Sequence, residues 1–457
     1  MAPGLMLHCN GRRSLGRVAR VALALLATAC APPVSTTRAP VPVPIVVTNA
    51  RESLRLSIDS LLRDPNLRNA FLGVLIVNPR TSDTLYSLNA GKLFMPASNQ
   101  KILTGAVALT HLGPEYRYRT TIAKRGSLVN GVVNGDVLVI GNGDPTISDR
   151  ARGKAMTALL DVADSLAARG IRRVTGKLMS GGNVFTDGIY GYGWEADDFT
   201  SSSGAPVDEL FYNEGLVDST ITIGGRDSVV SVVTRNPSRS YLAALDTALS
   251  RRGIVVSGGI SDSVAAPVAI DTLYSFQSST LRDILRHFEK PSQNQIGELL
   301  LKTIGLRQTG VGVADSGAAV VSRQLLNWGA EPSGFKVYDG SGLSRHNLVS
   351  PETLVRVLVA MRRDTAFSAF YNSLPIAGID GTLRSRMKGS PAENNMHAKT
   401  GTLEFVRSLS GYVTSADGEQ LVFSLLSNHF TVPVAVVTRF QDAVGAMMAS
   451  YRASPTS

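Results

Sequence analysis

Two cysteines, Cys9 and Cys30, are all that the 457 residues contain, and both precede residue 31. The rest of the chain therefore offers no disulfide and no thiol nucleophile. Histidine is nearly as scarce: the six show no metal-ligand spacing, and neither His-Glu-x-x-His nor Gly-x-Ser-x-Gly occurs. Zinc-peptidase and α/β-hydrolase chemistry are thus left without support, and no metal or cofactor is implied. No basic run is interleaved with aromatics in the manner of a nucleic-acid surface. The uninterrupted apolar run Val21 to Ala27 is too short to span a bilayer as a mature helix. No internal repeat is present.

What remains is an ordinary globular composition, 44% apolar and 18% charged, on a chain long enough for two or three domains. The beginning reads as targeting. Arg12, Arg13, Arg17 and Arg20 precede the apolar run, no acid occurs before Glu52, and Ala27-Thr28-Ala29 fits a small-x-small cleavage pattern. Cys30 follows at once, so Leu26–Cys30 also reads as a loose lipoprotein box. Residues 1–30 are assigned as a signal peptide, with plain cleavage and lipidation at Cys30 as the two outcomes. The expected location is outside the inner membrane, in the periplasm or cell envelope. Residues 31–50, with Pro32, Pro33, Pro40, Pro42 and Pro44, read as a stiffened linker. The formal charge of +10 includes five arginines of residues 1–50.

Beyond the linker the pattern alternates. An amphipathic helix is expected from Arg51, strands at 71–77 and 84–88, and strands at 403–413 and 420–427 joined by an Asp417-Gly418 turn. A closing helix is expected over 434–451. Elements from both ends of the chain would then meet in one layered unit. The stretch 118–272 differs, with short Gly-punctuated strands (137–140, 173–179, 228–233) and two helices (156–168, 241–251). It reads as an insertion.

Three short signals carry chemistry. Ser98-Asn99-Gln100-Lys101 opens a strong helical pattern, where free backbone N–H groups can receive an oxyanion and an amine one turn on can reach the serine hydroxyl. Serine is a poor nucleophile until a base takes its proton, and a lysine serves once burial and neighbouring cations lower its pKa. Ser292-Gln293-Asn294 stands at another helix entrance, where its residues can relay a proton or hold a carbonyl; standing alone it reads as an N-cap. Lys399-Thr400-Gly401-Thr402 begins a strand whose edge can pair with an extended peptide, its ammonium and hydroxyls suiting a carboxylate. Other Ser-x-x-Lys matches, Ser333–Lys336 and Ser385–Lys388, run into Gly or Pro rather than a helix. Asp339-Gly340-Ser341-Gly342 reads as a structural turn, and His397 as strand packing.

The order Ser-x-x-Lys, Ser-x-Asn, Lys-Thr-Gly resembles serine D,D-peptidases and class A β-lactamases. The flanks Pro96–Lys101, Gly143–Thr146, Gly193–Asp198, Asp339–Asn347, Gly378–Leu383 and His397–Thr402 resemble the D-alanyl-D-alanine carboxypeptidase/endopeptidase family of the penicillin-binding protein 4 type, over residues 50–452. That resemblance implies an α/β fold of the serine β-lactamase/D,D-peptidase kind, an antiparallel sheet flanked by helices with an inserted α/β domain. The host would comprise residues 51–117 and 273–457, and the insert 118–272. It implies Ser98 as nucleophile, Lys101 as base, Ser292 as proton relay, and Asn294, Lys399, Thr400, Gly401 and Thr402 as the substrate-binding wall. The backbone N–H groups of Ser98 and Thr402 would form the oxyanion hole. Expected partners are peptidoglycan peptides and β-lactams, with no nucleic acid and with Cys30 as the one membrane attachment. Members carry a further β-rich piece after the match to 205–213; here Glu214–Arg235 is short, so one inserted domain is expected rather than two. The rivals are a serine β-lactamase and a non-catalytic wall-binding protein of the same fold.

Overall fold

Strands from the two ends of the chain close a single antiparallel sheet. In the computed structural model, which describes residues 49–224, 226–264 and 270–453, these strands are β1 (Phe71–Asn78), β2 (Asp83–Leu88), β3 (His397–Leu403), β4 (Val406–Thr414) and β5 (Gln420–Asn428). Their order is β3-β4-β5-β1-β2, so Val74 of β1 lies opposite Leu425 of β5. The signal peptide, Cys30 and most of the linker fall outside the described residues.

Side chains alternate between the two faces of a strand, and here both faces are covered. Val74, Ile76, Leu409, Phe423 and Leu425 pack with Leu54, Ile58, Val437 and Val444, which belong to helices α1 (Ala50–Leu62) and, at the chain's end, α6 (Val434–Ser450). Leu75, Tyr412, Val422 and Leu426 enter the other core, with Ile102, Leu103, Leu354 and Leu358. These come from α2 (Gln100–Leu112) and α5 (Pro351–Arg362). The central strand β5 is consequently buried without alternation from Leu421 to Asn428, as expected for a strand covered on both sides. Two further helices of this second core matter for the site, α3 (Leu281–Glu289) and α4 (Asn294–Thr309). Thr280 caps α3 by accepting from the Asp283 N–H.

A second, mixed sheet is built from residues between these parts. Its long strands are Arg119–Val129, Val132–Ile140 and Asp271–Gln277, with short ones at Arg173–Val174, Leu178–Ser180, Val255–Val256 and Ile260–Ser261. Helices Ala155–Ala168 and Pro237–Arg251 supply Leu159, Val162, Leu245 and Leu249 to a core of its own. The last strand runs past residue 272 to Gln277. The described residues nevertheless hold together as one compact unit, and Phe185, Val207 and Phe211 pack directly on Leu299 of α4.

Two local readings change, and the strand expected at 228–233 gains a partner. The stretch 173–179 is two short strands, broken where Gly176 lies so close to its neighbour that a Cβ would meet Gly135 O at 2.5 Å. Glu214–Arg235 folds into an exposed hairpin, Leu216–Ile223 with Arg226–Val233. The stretch 403–413 is no single strand: a turn at Glu404-Phe405, with Phe405 at φ +58°, separates β3 from β4. Lys399 to Thr402 therefore occupy a separate strand at the edge of the sheet.

Candidate active site

Ser98 lies in a single 3-10 turn, Ala97–Asn99, that runs straight into α2. Ala97 holds φ at +48°, a region a residue with a Cβ seldom enters. The turn is fixed from outside: a Cβ on Gly342, itself at φ +84°, would meet the Ala97 carbonyl at 1.9 Å. Only glycine permits that approach.

One helical turn beyond, Lys101 is completely buried. Its Nζ lies 2.9 Å from Ser98 Oγ, 2.6 Å from Asn294 Oδ1 and 2.6 Å from the Ser341 carbonyl. As an ammonium it donates to all three. As a free amine it donates to Asn294 and Ser341 and turns its lone pair to the Ser98 hydroxyl, the arrangement a general base needs. Burial, followed by the nearby charge of Lys399, pushes the Lys101 pKa down to about 7. The free amine is thereby accessible near neutral pH.

The Ser341 carbonyl is held by the Asp339 turn. Asp339 is fully buried and accepts from Gly342 N (2.7 Å), Ser344 N (2.7 Å), Asn347 Nδ2 (2.6 Å) and Trp194 Nε1 (3.1 Å). Glu298 of α4 accepts from the Gly340 and Ser341 N–H groups. The turn is structural, as its sequence implies, but its carbonyl also touches the base.

Across the cleft, Lys399 and Gly401 share the face of β3 turned toward the Ser98 segment. Lys399 is fully buried, donating to Ser292 Oγ and to the Thr400 carbonyl, each at 2.9 Å. Burial lowers its pKa. Asn99 Nδ2 donates to the Lys399 carbonyl at 2.9 Å, tying nucleophile turn to strand. Gly401 leaves no room for a side chain: a Cβ would lie 2.0 Å from Ser408 Oγ, 2.7 Å from Pro96 O and 3.0 Å from Ser98 N. Ser292 holds φ at +65° and is not the helix cap, since Gln293 caps α4 by accepting from the Gln295 N–H.

The resulting cleft has a volume of about 270 Å³; Ser98, Ser292, Asn294, Thr400 and Thr402 line it with Ser203, Gly342, Leu343, Thr382 and Leu403. Lys101, Lys399 and Gly401 lie behind this surface. All eight residues singled out from the sequence thus converge, five on the cleft and three beneath it. Ser333 and Ser385 do not, and Lys336 and Lys388 are exposed. Larger cavities exist, including one of about 580 Å³ between β1, β2 and α5, but its lining contains no serine–lysine pair. His397 packs as expected, stacked on Tyr371 at 3.9 Å.

Sequence reasoning missed three participants. Ser203, in the 3-10 turn Ser202–Gly204, reaches the cleft, and its carbonyl accepts from Asn294 Nδ2 at 2.9 Å; nothing in its local sequence announces this. Asn99 occupies an unspecified position of the Ser-x-x-Lys pattern, between Ser98 and Lys101, so the pattern does not mark it. Glu289 is fully buried, and among the described residues no hydrogen-bond donor meets either carboxyl oxygen. Its signal was legible: it falls four residues after Leu285, on the apolar stripe of α3.

Comparison with known proteins places this geometry. The pattern of the D-Ala-D-Ala carboxypeptidase 3 (S13) family matches residues 54–233 and 223–450. The D-alanyl-D-alanine carboxypeptidase of Actinomadura sp. (strain R39) is 30% identical, covering 87% of this chain and 85% of that protein. The crystal structure of penicillin binding protein 4 from Haemophilus influenzae superposes with a TM-score of 0.75 at 23% identity, over 86% of this chain and 99% of that one. The same protein in complex with a β-lactam gives a TM-score of 0.69 at 23% identity, over 86% and 100%.

Proposed function

The chain belongs to the D-Ala-D-Ala carboxypeptidase (S13) family, and on that premise we propose that Ser98 is its acylated nucleophile and Lys101 the base that activates it. It is a penicillin-binding serine peptidase acting on peptidoglycan. The observation that carries the assignment of roles is the 2.9 Å contact between Ser98 Oγ and the buried Lys101 amine.

In the proposed reaction Lys101 takes the Ser98 proton as Oγ attacks the carbonyl of the penultimate D-alanine. The tetrahedral oxygen is held by the Ser98 and Thr402 backbone N–H groups. As the C–N bond breaks, Ser292 passes a proton to the leaving amine, its own hydroxyl being refilled from Lys399 or Lys101. Asn294 and the hydroxyls of Thr400 and Thr402 bind the peptide along the edge of β3, and Gly401 lets the strand approach Ser98. Lys399 lies behind Ser292 and Thr400, so its positive charge attracts the substrate carboxylate from beneath the cleft wall. Water then hydrolyses the ester. A leaving D-alanine makes the reaction a carboxypeptidase, and a cross-linking amine makes it an endopeptidase.

β-Lactams acylate the same serine. Among the described residues the cleft lining contains no carboxylate to activate a deacylating water, which favours slow deacylation over β-lactamase action. The intact serine–lysine pair disfavours a purely wall-binding role. Residues 118–272 are read as the inserted domain, and a wall substrate supports a location outside the inner membrane, with Cys30 as a lipid attachment or a cleavage boundary.

D-Ala release from a pentapeptide, followed alongside cleavage of a cross-linked dimer, tests the activity. Release that survives Ser98→Ala would remove Ser98 from the nucleophile's role. Replacing 118–272 by a short Gly/Ser linker tests the insertion: the stretch supplies Ser203 to the cleft, Trp194 to Asp339 and Phe211 to Leu299, so penicillin labelling should persist only where the host folds without these contacts, while action on polymeric wall falls. Loss of labelling in a chain that still folds would show that the host is incomplete without it.

A further inference from the structure

The cleft does not end at Thr400. The Thr400 hydroxyl donates to Thr382 Oγ1 at 2.6 Å, and Thr382 also lines a second groove of about 750 Å³, against about 270 Å³ for the cleft itself. Three segments line this groove: residues 286–291 at the end of α3, residues 381–385, and Arg150 of the short helix Asp149–Arg152. The first two are fastened together. Thr382 N donates to the Lys290 carbonyl at 3.0 Å, and a Cβ on Gly381, at φ +56°, would meet the same carbonyl at 2.7 Å.

The lining is one-sided in charge. Four of its nine residues, Arg150, Arg286, Lys290 and Arg384, are permanent cations, and among the described residues no carboxylate lines it. Lys290 is committed to Asp380 and the Leu374 carbonyl, at 2.6 and 2.9 Å. Arg150 and Arg286 hold Glu214 and Asp283 at 2.8 and 3.3 Å, with both arginine side chains half exposed. Such pairs are weak and give way to a better-placed anion. Asp380 pairs with Lys290 and Asp442 with Arg386, and Arg384 is exposed with no acidic partner among the described residues.

The groove opens at the end of the cleft where the leaving group departs. Pro291 directly precedes Ser292, the proposed donor to the leaving amine, and Thr382 touches Thr400 of the wall that meets the substrate carboxylate. A leaving D-alanine stops at its own carboxylate and does not extend this far. The leaving group of a cross-link continues as a second stem peptide, an anion with a carboxylate terminus of its own, and that chain must run out past Ser292.

We propose that this groove holds the leaving strand of a cross-linked wall peptide, with Arg150, Arg286 and Arg384 receiving its carboxylates. The inference rests on the peptidase reading above and deepens it: the site accommodates chain on both sides of the scissile bond. A phosphate polymer or an anionic lipid surface matches the charge, but neither accounts for the Thr382 wall that groove and cleft share.

The test compares three substrates: a pentapeptide that loses D-alanine, a cross-linked dimer with free carboxylates on the leaving stem, and the same dimer with those carboxylates amidated. kcat and KM are measured for wild type, for Arg286→Gln/Arg384→Gln and for Arg384→Lys, with thermal unfolding on the same samples. The double variant should raise the KM of the free dimer about tenfold with kcat little changed. The pentapeptide, which ends before the groove, should keep both constants within about twofold. The amidated dimer should bind poorly to wild type and variant alike, and Arg384→Lys should keep the wild-type KM for the free dimer. Equal losses on pentapeptide and dimer, or a dimer KM unmoved by the double variant, would overturn the proposal. So would a variant whose only change is weaker retention on polyphosphate or on phosphatidylglycerol vesicles. If the double variant does not fold, wild type decides: equal KM for the free and amidated dimers would equally overturn it. Penicillin labelling separates this failure from a deeper one. An adduct on Ser98 with an unmoved dimer KM sinks only the groove; no adduct on Ser98 in the wild type sinks the peptidase roles themselves.

Discussion

A single methyl group at residue 401 should disable the site. In Gly401→Ala the new carbon would stand 2.0 Å from Ser408 Oγ, 2.7 Å from Pro96 O and 3.0 Å from Ser98 N, all inside the ~3.5 Å at which a carbon rests comfortably. The Ser408 hydroxyl can swing aside, but it is buried and donates to Pro96 O at 2.7 Å. Rotation gives up that bond and strands a buried polar atom, at about 1–3 kcal/mol. The backbone of Pro96 to Ser98 has less freedom, because Ala97 is pinned at positive φ against Gly342. The methyl must therefore displace the Ser98 N–H from the position proposed to receive the oxyanion. Loss of one such donor slows acylation by about 10²–10³-fold, whereas overpacking of this size destabilises by about 1–3 kcal/mol. The assay is rapid-quench acylation by a fluorescent penicillin, with thermal unfolding measured on the same samples. A folded Gly401→Ala protein that acylates within threefold of wild type would refute both the oxyanion assignment and the claim that β3 must approach this closely.

Further outcomes follow from the same geometry. Burial holds the Lys101 pKa down to about 7, so the amine is protonated below that pH and free above it; acylation by penicillin should rise tenfold per unit up to pH 7 and then level, and a flat single-turnover profile from pH 5.5 to 9 would contradict it. Lys399→Ala should weaken acylation by carboxylate-bearing substrates by about 2 kcal/mol, roughly thirtyfold, and affect a neutral thioester much less; equal losses would point to a structural role. Asp339→Ala strands the Gly342, Ser344 and Trp194 donors and should lower stability by at least about 3 kcal/mol; an unchanged urea midpoint would show that the turn holds without it.

Much of this was legible in residue order. The helix after Ser98, the hairpin at Asp417-Gly418 and the closing helix follow from periodicity and turn chemistry, which act locally. The eight site residues were found because their side-chain chemistry is concentrated in three short stretches. The failures share a cause: they depend on contacts between distant parts of the chain. The turn at Glu404-Phe405 has no glycine, asparagine or proline to mark it, and tertiary pairing of β3 with β4 imposes the positive φ of Phe405. Ser203 reaches Asn294 only because the neighbouring Val207 and Phe211 pack on Leu299 of α4. Lys399 appeared from its motif to face the substrate directly, but strand alternation turns it inward to Ser292. Glu289 was readable as a charge on an apolar stripe, yet its neighbours were not.

The central claim is that Ser98, and no other serine in a Ser-x-x-Lys stretch, carries the acyl group. Ser98 alone among the three has a buried lysine amine within hydrogen-bond distance. Mass spectrometry of the protein after brief exposure to penicillin, with the adduct mapped to a single residue, tests this directly. The account predicts one equivalent of penicilloyl adduct on Ser98, lost in Ser98→Ala with no change in thermal unfolding. An adduct on Ser333 or Ser385, or labelling that persists in the Ser98→Ala protein, would contradict it.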